Sequence, residues 1–278
     1  MCNDLTMKPS RPHPIRGDSA RRAILRILSI AVGLSFPFGA AAQERADGRP
    51  GYMAAVGYEY TSIGDGRDDW QARSIRAGVD PAWGFVAMEF RRSERFGVAD
   101  DIAVLDAWVD AAHGWYGNSR IALAPGADAH PTLDALVEYF RTLPGGWEPA
   151  IQGRIMRYPG TDVFIAGLAV GRYVGRWYLR AQGVVGDDGR SRNPSLAVSG
   201  RWYVRETDRY VEGRVTIGRE VISTGRDGLL ESAGTQAFLL RTNWGVHGPW
   251  SFGLSGSWQV DRALGRRFGG SAEILARL

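Results

Sequence analysis

The segment WSFGLSGSWQV, residues 250 to 260, alternates without a break. Trp250, Phe252, Leu254, Gly256, Trp258 and Val260 fall on one side, and Ser251, Ser255, Ser257 and Gln259 on the other. Successive side chains of a strand point to opposite faces, so this period of two means a strand with one apolar and one polar face. The pattern recurs in VGRWYLRAQGVV (174 to 185), SLAVSGRWYV (195 to 204) and YVEGRVTIG (210 to 218). Thirty-seven glycines and ten each of Trp, Tyr and Phe add turn and strand formers. From Tyr52 onward the only segment that also fits a helical period is LDALVEYF (133 to 140).

Two architectures produce such alternation. A soluble sandwich or small barrel buries the apolar list, whereas an outer-membrane barrel turns it to lipid and lines its interior with the polar list. Runs of about ten residues or more suit tilted membrane strands, which need roughly 9 to 11, better than sandwich strands of roughly five or six. An arginine facing lipid at mid-bilayer costs roughly 2 to 4 kcal/mol. Arg176, Arg180, Arg201, Arg214 and Arg241 share the polar face of their segments, so that face belongs inside. The expected fold is all-β, a transmembrane antiparallel up-and-down β-barrel.

Counting LDALVEYF as a strand gives fourteen strands, with twelve as the alternative. Fourteen places both ends of the barrel on the periplasmic side. IGDGRDD, RSERFGVAD, APGADAHP, GDDGRSRN, REVISTGRDGLLES and DRALGRRFG are then outer loops, and YPGT is the one short outer turn. In this tracing Trp83, Trp147, Trp177, Trp202, Trp244 and Trp250 form an aromatic girdle at the periplasmic rim. Tyr58, Tyr60, Phe238 and Trp258 mark the outer rim.

Ahead of the strands, Arg21 and Arg22 precede an apolar run and then Ala40-Ala41-Ala42, the pattern of a signal peptide cleaved before Gln43. The expected organisation is a signal peptide over 1–42, a short segment over 43–51 and a barrel over 52–278, exported to the outer membrane of a Gram-negative bacterium. The leader holds six of the 34 basic and two of the 30 acidic groups, which leaves 28 of each in the mature chain. That balance gives no reason to expect a nucleic-acid partner. Cys2, the only cysteine, leaves with the leader, so disulfide and thiolate chemistry are not expected.

No catalytic constellation stands out. His113, His130 and His247 lack metal-ligand spacing, and GLSGS (253 to 257) is alternation on a strand rather than a nucleophile elbow. No cofactor and no metal are expected. The enzymatic alternative is a hydrolase or acyltransferase assembled at the outer rim around His130. Asp65, Asp68, Asp69, Asp187 and Asp188 read as turn formers rather than a Ca²⁺ loop. Arg190, Arg192, Arg226, Arg266 and Arg267 lie where lipopolysaccharide phosphates would be. The candidate lumen-lining and binding residues are Glu59, Arg154, Arg176, Tyr178, Arg180, Arg201, Tyr203, Tyr210, Glu212, Arg214 and Arg241.

GYEY (57 to 60), LPGGWEPAIQGRIMRY (143 to 158), GRYVGRWYLRAQ (171 to 182) and SGRWYVRETDRYVEGRVTIGRE (199 to 220) together resemble the YaiO-type outer-membrane β-barrel domain family. The resemblance lies in motif order and aromatic-arginine texture over 52 to 278. It implies an outer-membrane barrel and brings no catalytic residue set. The final strand departs from the usual ending of such barrels, with Leu278 in place of Phe. The expected function is a non-enzymatic binding or assembly module at the cell surface, linked to surface polysaccharide. The alternative is a diffusion channel for small polar solutes or sugars through an Arg/Tyr-lined lumen. Outer-membrane lipid, lipopolysaccharide and the outer-membrane assembly machinery are the expected partners.

Overall fold

The computed structural model of the protein describes residues 51–64, 68–204, 209–223, 230–245 and 248–278. Fourteen strands follow in chain order: β1 (Gly51–Ile63), β2 (Trp70–Asp80), β3 (Gly84–Arg95), β4 (Val98–Asp110), β5 (Trp115–Leu123), β6 (Leu133–Arg141), β7 (Trp147–Tyr158), β8 (Thr161–Val174), β9 (Trp177–Asp187), β10 (Arg192–Tyr203), β11 (Tyr210–Ser223), β12 (Leu230–Gly245), β13 (Trp250–Asp261) and β14 (Gly265–Arg277). Each pairs antiparallel with its neighbours in sequence, and β1 pairs with β14 from Met53 opposite Arg277 to Ile63 opposite Arg267. The sheet therefore closes. Closure leaves no edge with unpaired backbone groups, which is what allows strands to cross a hydrocarbon layer. The count is fourteen, not twelve, and LDALVEYF is part of β6.

Register shows which residues share a face. Val56, Ile75, Phe90, Leu168, Leu179, Leu196, Val215 and Ile274 point outward and are exposed, Leu168 to 68%. A continuous exposed apolar surface of this kind is an aggregation liability in water and a lipid-facing band in a membrane. The opposite parity points inward, where Glu89 and Val163 are almost fully buried.

We call the end at which β1 starts and β14 finishes the near rim, and the other end the far rim. Trp83 lies in the turn after β2, and Trp147, Trp177 and Trp250 open β7, β9 and β13 at the near rim. Trp202 sits opposite Trp177, and Trp244 opposite Phe252, at the same end. Trp115 opens β5 in the same belt. Arg141 lies over the Trp115 ring at 5.2 Å and Arg172 over Trp147 at 4.7 Å. Such contacts let an outward arginine keep its charge at the rim.

The far-rim connections are shorter than expected. RSERFGVAD and DRALGRRFG are mostly strand, because β3 turns into β4 through Phe96-Gly97 alone and β13 into β14 through Arg262–Leu264. Phe96 and Gly97 have φ of 54° and 69°, a left-handed pair whose twist matches that of the hairpin it joins. The charged residues flanking it pair across the hairpin, as Arg92 does with Asp101 at 3.2 Å. YPGT is thus not the only short far-rim turn. The longest described connection is 124–132.

Candidate functional site

A cavity of about 1240 Å³ runs inside the barrel along β4 to β11. The side chains that line it come from the polar parity of strands whose apolar parity faces out, so one alternation builds both surfaces. Arg154 reaches both oxygens of Asp134 at 2.7 Å. Arg201 donates to Glu212 at 2.8 Å through Nε and at 2.6 Å through Nη2. Arg180 on β9 pairs with Glu138 on β6, bridging strands that are not neighbours. Arg214 donates to Gln182 at 3.2 Å, and Gln182 donates to Gln152. Bidentate pairs of this kind fix side chains that would otherwise swing freely, and each satisfies the other's charge in a partly dry interior.

Toward the near rim the cavity wall becomes aromatic. Tyr116 and Phe140 stack at 4.7 Å with 2° between their planes, and Trp108 adds to the stack at 6.0 Å from Phe140. Arg180 lies 5.2 Å above the Phe140 ring. Tyr173 and Tyr178 meet at 4.6 Å, and the buried Glu148 lies beside Tyr116 and Tyr178. Tyr178 lies directly over Gly171, where any Cβ would strike its ring. Glycine on that inward position is therefore what lets the ring lie flat against the wall.

The far rim is packed differently. Ile63, Trp70, Ala233 and Leu264 form a small apolar core, with Phe96 and Ala263 packed against it. Arg95 and Arg267 approach the Trp70 ring at 4.5 and 5.2 Å. Beside this core, the Asp100 carboxylate accepts the backbone N–H groups of Asp128, Ala129 and His130 and lies 2.8 Å from His130 Nδ1. One β4 side chain thereby holds the 124–132 connection. Burial, with Arg95 nearby, pushes the His130 imidazole down to about 4, against the pull of Asp100.

Of the candidates read from sequence, Arg154, Tyr178, Arg180, Arg201, Glu212 and Arg214 line the cavity. Tyr203 and Tyr210 face inward beside it, with Arg201 at 4.5 Å over the Tyr210 ring and hydrogen-bonded to the Tyr203 hydroxyl at 3.2 Å. Glu59 is inward on the other side of the barrel, 3.6 Å from Arg91. Arg241 stands opposite Glu212 in register. Arg176 is a correction: it sits in the two-residue turn between β8 and β9, exposed, where no strand alternation directs it into the lumen. Arg267 is another, since it is buried against Asp261 at 2.6 Å rather than open to phosphate. Asp187 and Asp188 act in their turn, accepting from the backbone N–H groups of Gly189 and Arg190 at 2.8 and 2.9 Å. Asp65, Arg226 and His247 lie outside the described residues. The sequence reading missed Trp108, Tyr116, Phe140, Glu148 and Tyr173 as lumen residues; Glu148 alternates with Trp147, which was the available signal.

A family model described as the YaiO membrane beta barrel domain matches residues 53–221. No curated protein matches the chain. Among solved structures, it is similar to a loop-deletion form of OmpT, an outer membrane protein of Vibrio cholerae, at 9% identity and a TM-score of 0.47, covering 82% of this chain and 99% of that one. Pseudomonas aeruginosa OpdQ matches at 5% identity and a TM-score of 0.49, covering 82% and 98%. An anion-selective porin from Comamonas acidovorans matches at 7% and 0.43, covering 83% and 99%.

Proposed function

We propose, from the premise that this chain belongs to the YaiO membrane β-barrel domain family and lies in an outer membrane, that it is a non-enzymatic barrel holding a polar ligand in its lumen. The observation that carries this reading is the mutual pairing of the lumen charges: Arg154 with Asp134, Arg180 with Glu138 and Arg201 with Glu212. A wide diffusion pore gains from side chains that leave its axis clear and its field unbalanced. Paired, cross-strand side chains instead make a fixed, shaped cavity, the usual form of a binding site. The near rim faces the periplasm in this reading, and residues 1–42 are the export signal.

The diffusion-channel reading is favoured by one fact, the length of the cavity, whose lining runs from Gly114 and Thr142 near one rim to Gly186 and Val221 near the other. An enzyme built on His130 is disfavoured because that imidazole is buried against Asp100 and occupied in holding a loop. Lipopolysaccharide remains a proposed partner through the exposed Arg190, Arg192 and Arg266, alongside outer-membrane lipid and the assembly machinery. Residues 43–278 reconstituted in planar bilayers test the choice. A silent membrane is expected; reproducible single-channel steps would overturn the binding reading in favour of a channel.

A further inference from the structure

We infer that the near-rim part of the cavity is a carbohydrate subsite, taking a neutral oligosaccharide with one pyranose ring laid on the Trp108 indole. This rests on the reading above that the lumen holds a ligand. Trp108 and Tyr173 line the cavity yet remain 38% and 45% exposed, so two apolar ring surfaces stand in a wet interior with no lipid to cover them. Behind Trp108 the rings are braced: Phe140 is 3% exposed, stacked on Tyr116 and covered by Arg180. A held ring with a free face suits the C–H face of a sugar, and an amphipathic partner loses least by leaving water there.

The surrounding polar groups narrow the class further. Glu138, Glu148, Gln152 and Gln182 line the same cavity, and their flat, two-atom ends suit vicinal hydroxyls. The charges largely cancel, Arg180 with Glu138 and Arg201 with Glu212, which leaves little attraction for a strongly anionic ligand. Arg180 over Phe140 places a positive charge on the aromatic stack, which works against an organic cation. A planar base sandwiched between rings is also ill served, because Tyr116 and Phe140 already stack on each other. Gly171, by letting Tyr178 lie flat, keeps that ring out of the space the sugar would fill.

The test is calorimetric titration of the barrel, refolded in detergent from residues 43–278, with maltohexaose, cellohexaose and chitohexaose as probes. Saturable binding of at least one is expected, weakened at least tenfold by Trp108→Leu and unchanged by Trp250→Leu, which alters only the outer belt. Heat-modifiable migration on gels confirms that each variant is folded. If none of the three binds while tetramethylammonium does so in a Trp108-dependent way, the carbohydrate assignment is overturned and lumen binding stands; if only oligogalacturonate does so, the assignment of a neutral sugar is overturned. If a folded barrel binds no probe of any class, both fall. Binding that survives Trp108→Leu undiminished overturns the subsite.

Discussion

The two sides of the lumen wall are built from the same alternation and differ in what they place inside. Along β3 to β11 the inward positions carry Glu89, Arg91, Asp134, Glu138, Arg154, Arg180, Arg201 and Glu212, most of them joined in pairs. Along β13, β14 and β1 the middle inward positions are mostly small, Ser255, Ser257, Gly269, Ser271 and Gly57 beside the charged Glu59, and Ser255 and Ser271 share a hydrogen bond at 2.7 Å. The outer faces show no such division. Lipid demands the same apolar surface all round, whereas the interior is free to be asymmetric, and the asymmetry locates the site.

The largest effect should come from breaking the charged wall where it is driest. Glu89 is 1% exposed and holds both Arg76 at 2.7 Å and Arg91 at 2.9 Å, so Glu89→Ala leaves these two inward guanidiniums only their longer contacts, to Glu273 at 3.5 Å and to Glu59 at 3.6 Å. A loss of about 3 to 5 kcal/mol is expected, read as a lower urea midpoint for unfolding from lipid vesicles. Next come Val198→Arg behind the charged wall and Val56→Arg behind the small one, both outward and exposed. Each should cost roughly 2 to 4 kcal/mol near mid-bilayer, and the two should agree within error because lipid does not sense which wall lies behind. Unequal costs would break the claim that the outer faces are equivalent.

A smaller, pH-dependent effect belongs to the far rim. His130 is held at about 4, below the ordinary imidazole value of about 6.5, so its neutral form is favoured by folding. Its contribution is complete above about pH 6.5 and is lost as pH falls toward 4, by up to roughly 3 kcal/mol. Proteolytic cleavage within 124–132 should therefore rise over that interval, and the rise should vanish in His130→Gln. Smallest of all is Ser255→Ala on the small wall, where losing one hydrogen bond in a wet interior should cost under about 1 kcal/mol. A cost comparable to Glu89→Ala would show the small wall to be structural rather than permissive.

Much of the fold was legible because alternation is local. Trp250 to Val260 and Trp177 to Val185 declare a face with no knowledge of neighbours, and six tryptophans at or beside strand ends mark a rim. Turn position was less legible. Phe96 takes a left-handed φ without being Gly or Asn, so RSERFGVAD carries the charge of a loop and the geometry of a hairpin. Trp108 was hidden for a different reason. In VADDIAVLDAWVD both parities hold apolar residues, Ile102 and Val104 on one and Ala103 and Leu105 on the other, so the segment does not say which faces lipid. The pairing of Arg180 with Glu138 depends on barrel curvature bringing β9 and β6 together across 42 residues, which no local pattern encodes.

The central claim is that one strand parity faces lipid and the other a wet, ligand-holding interior. β10 tests it most directly, since Ser195 and Ser199 line the cavity while Leu196 and Val198 point outward. Single cysteines at these four positions, in a Cys2→Ser background, are treated in lipid vesicles with a membrane-impermeant maleimide. Ser195→Cys and Ser199→Cys should react, and Leu196→Cys and Val198→Cys should react only after detergent is added. Labelling that does not alternate, or that alternates with the opposite parity, would contradict the account.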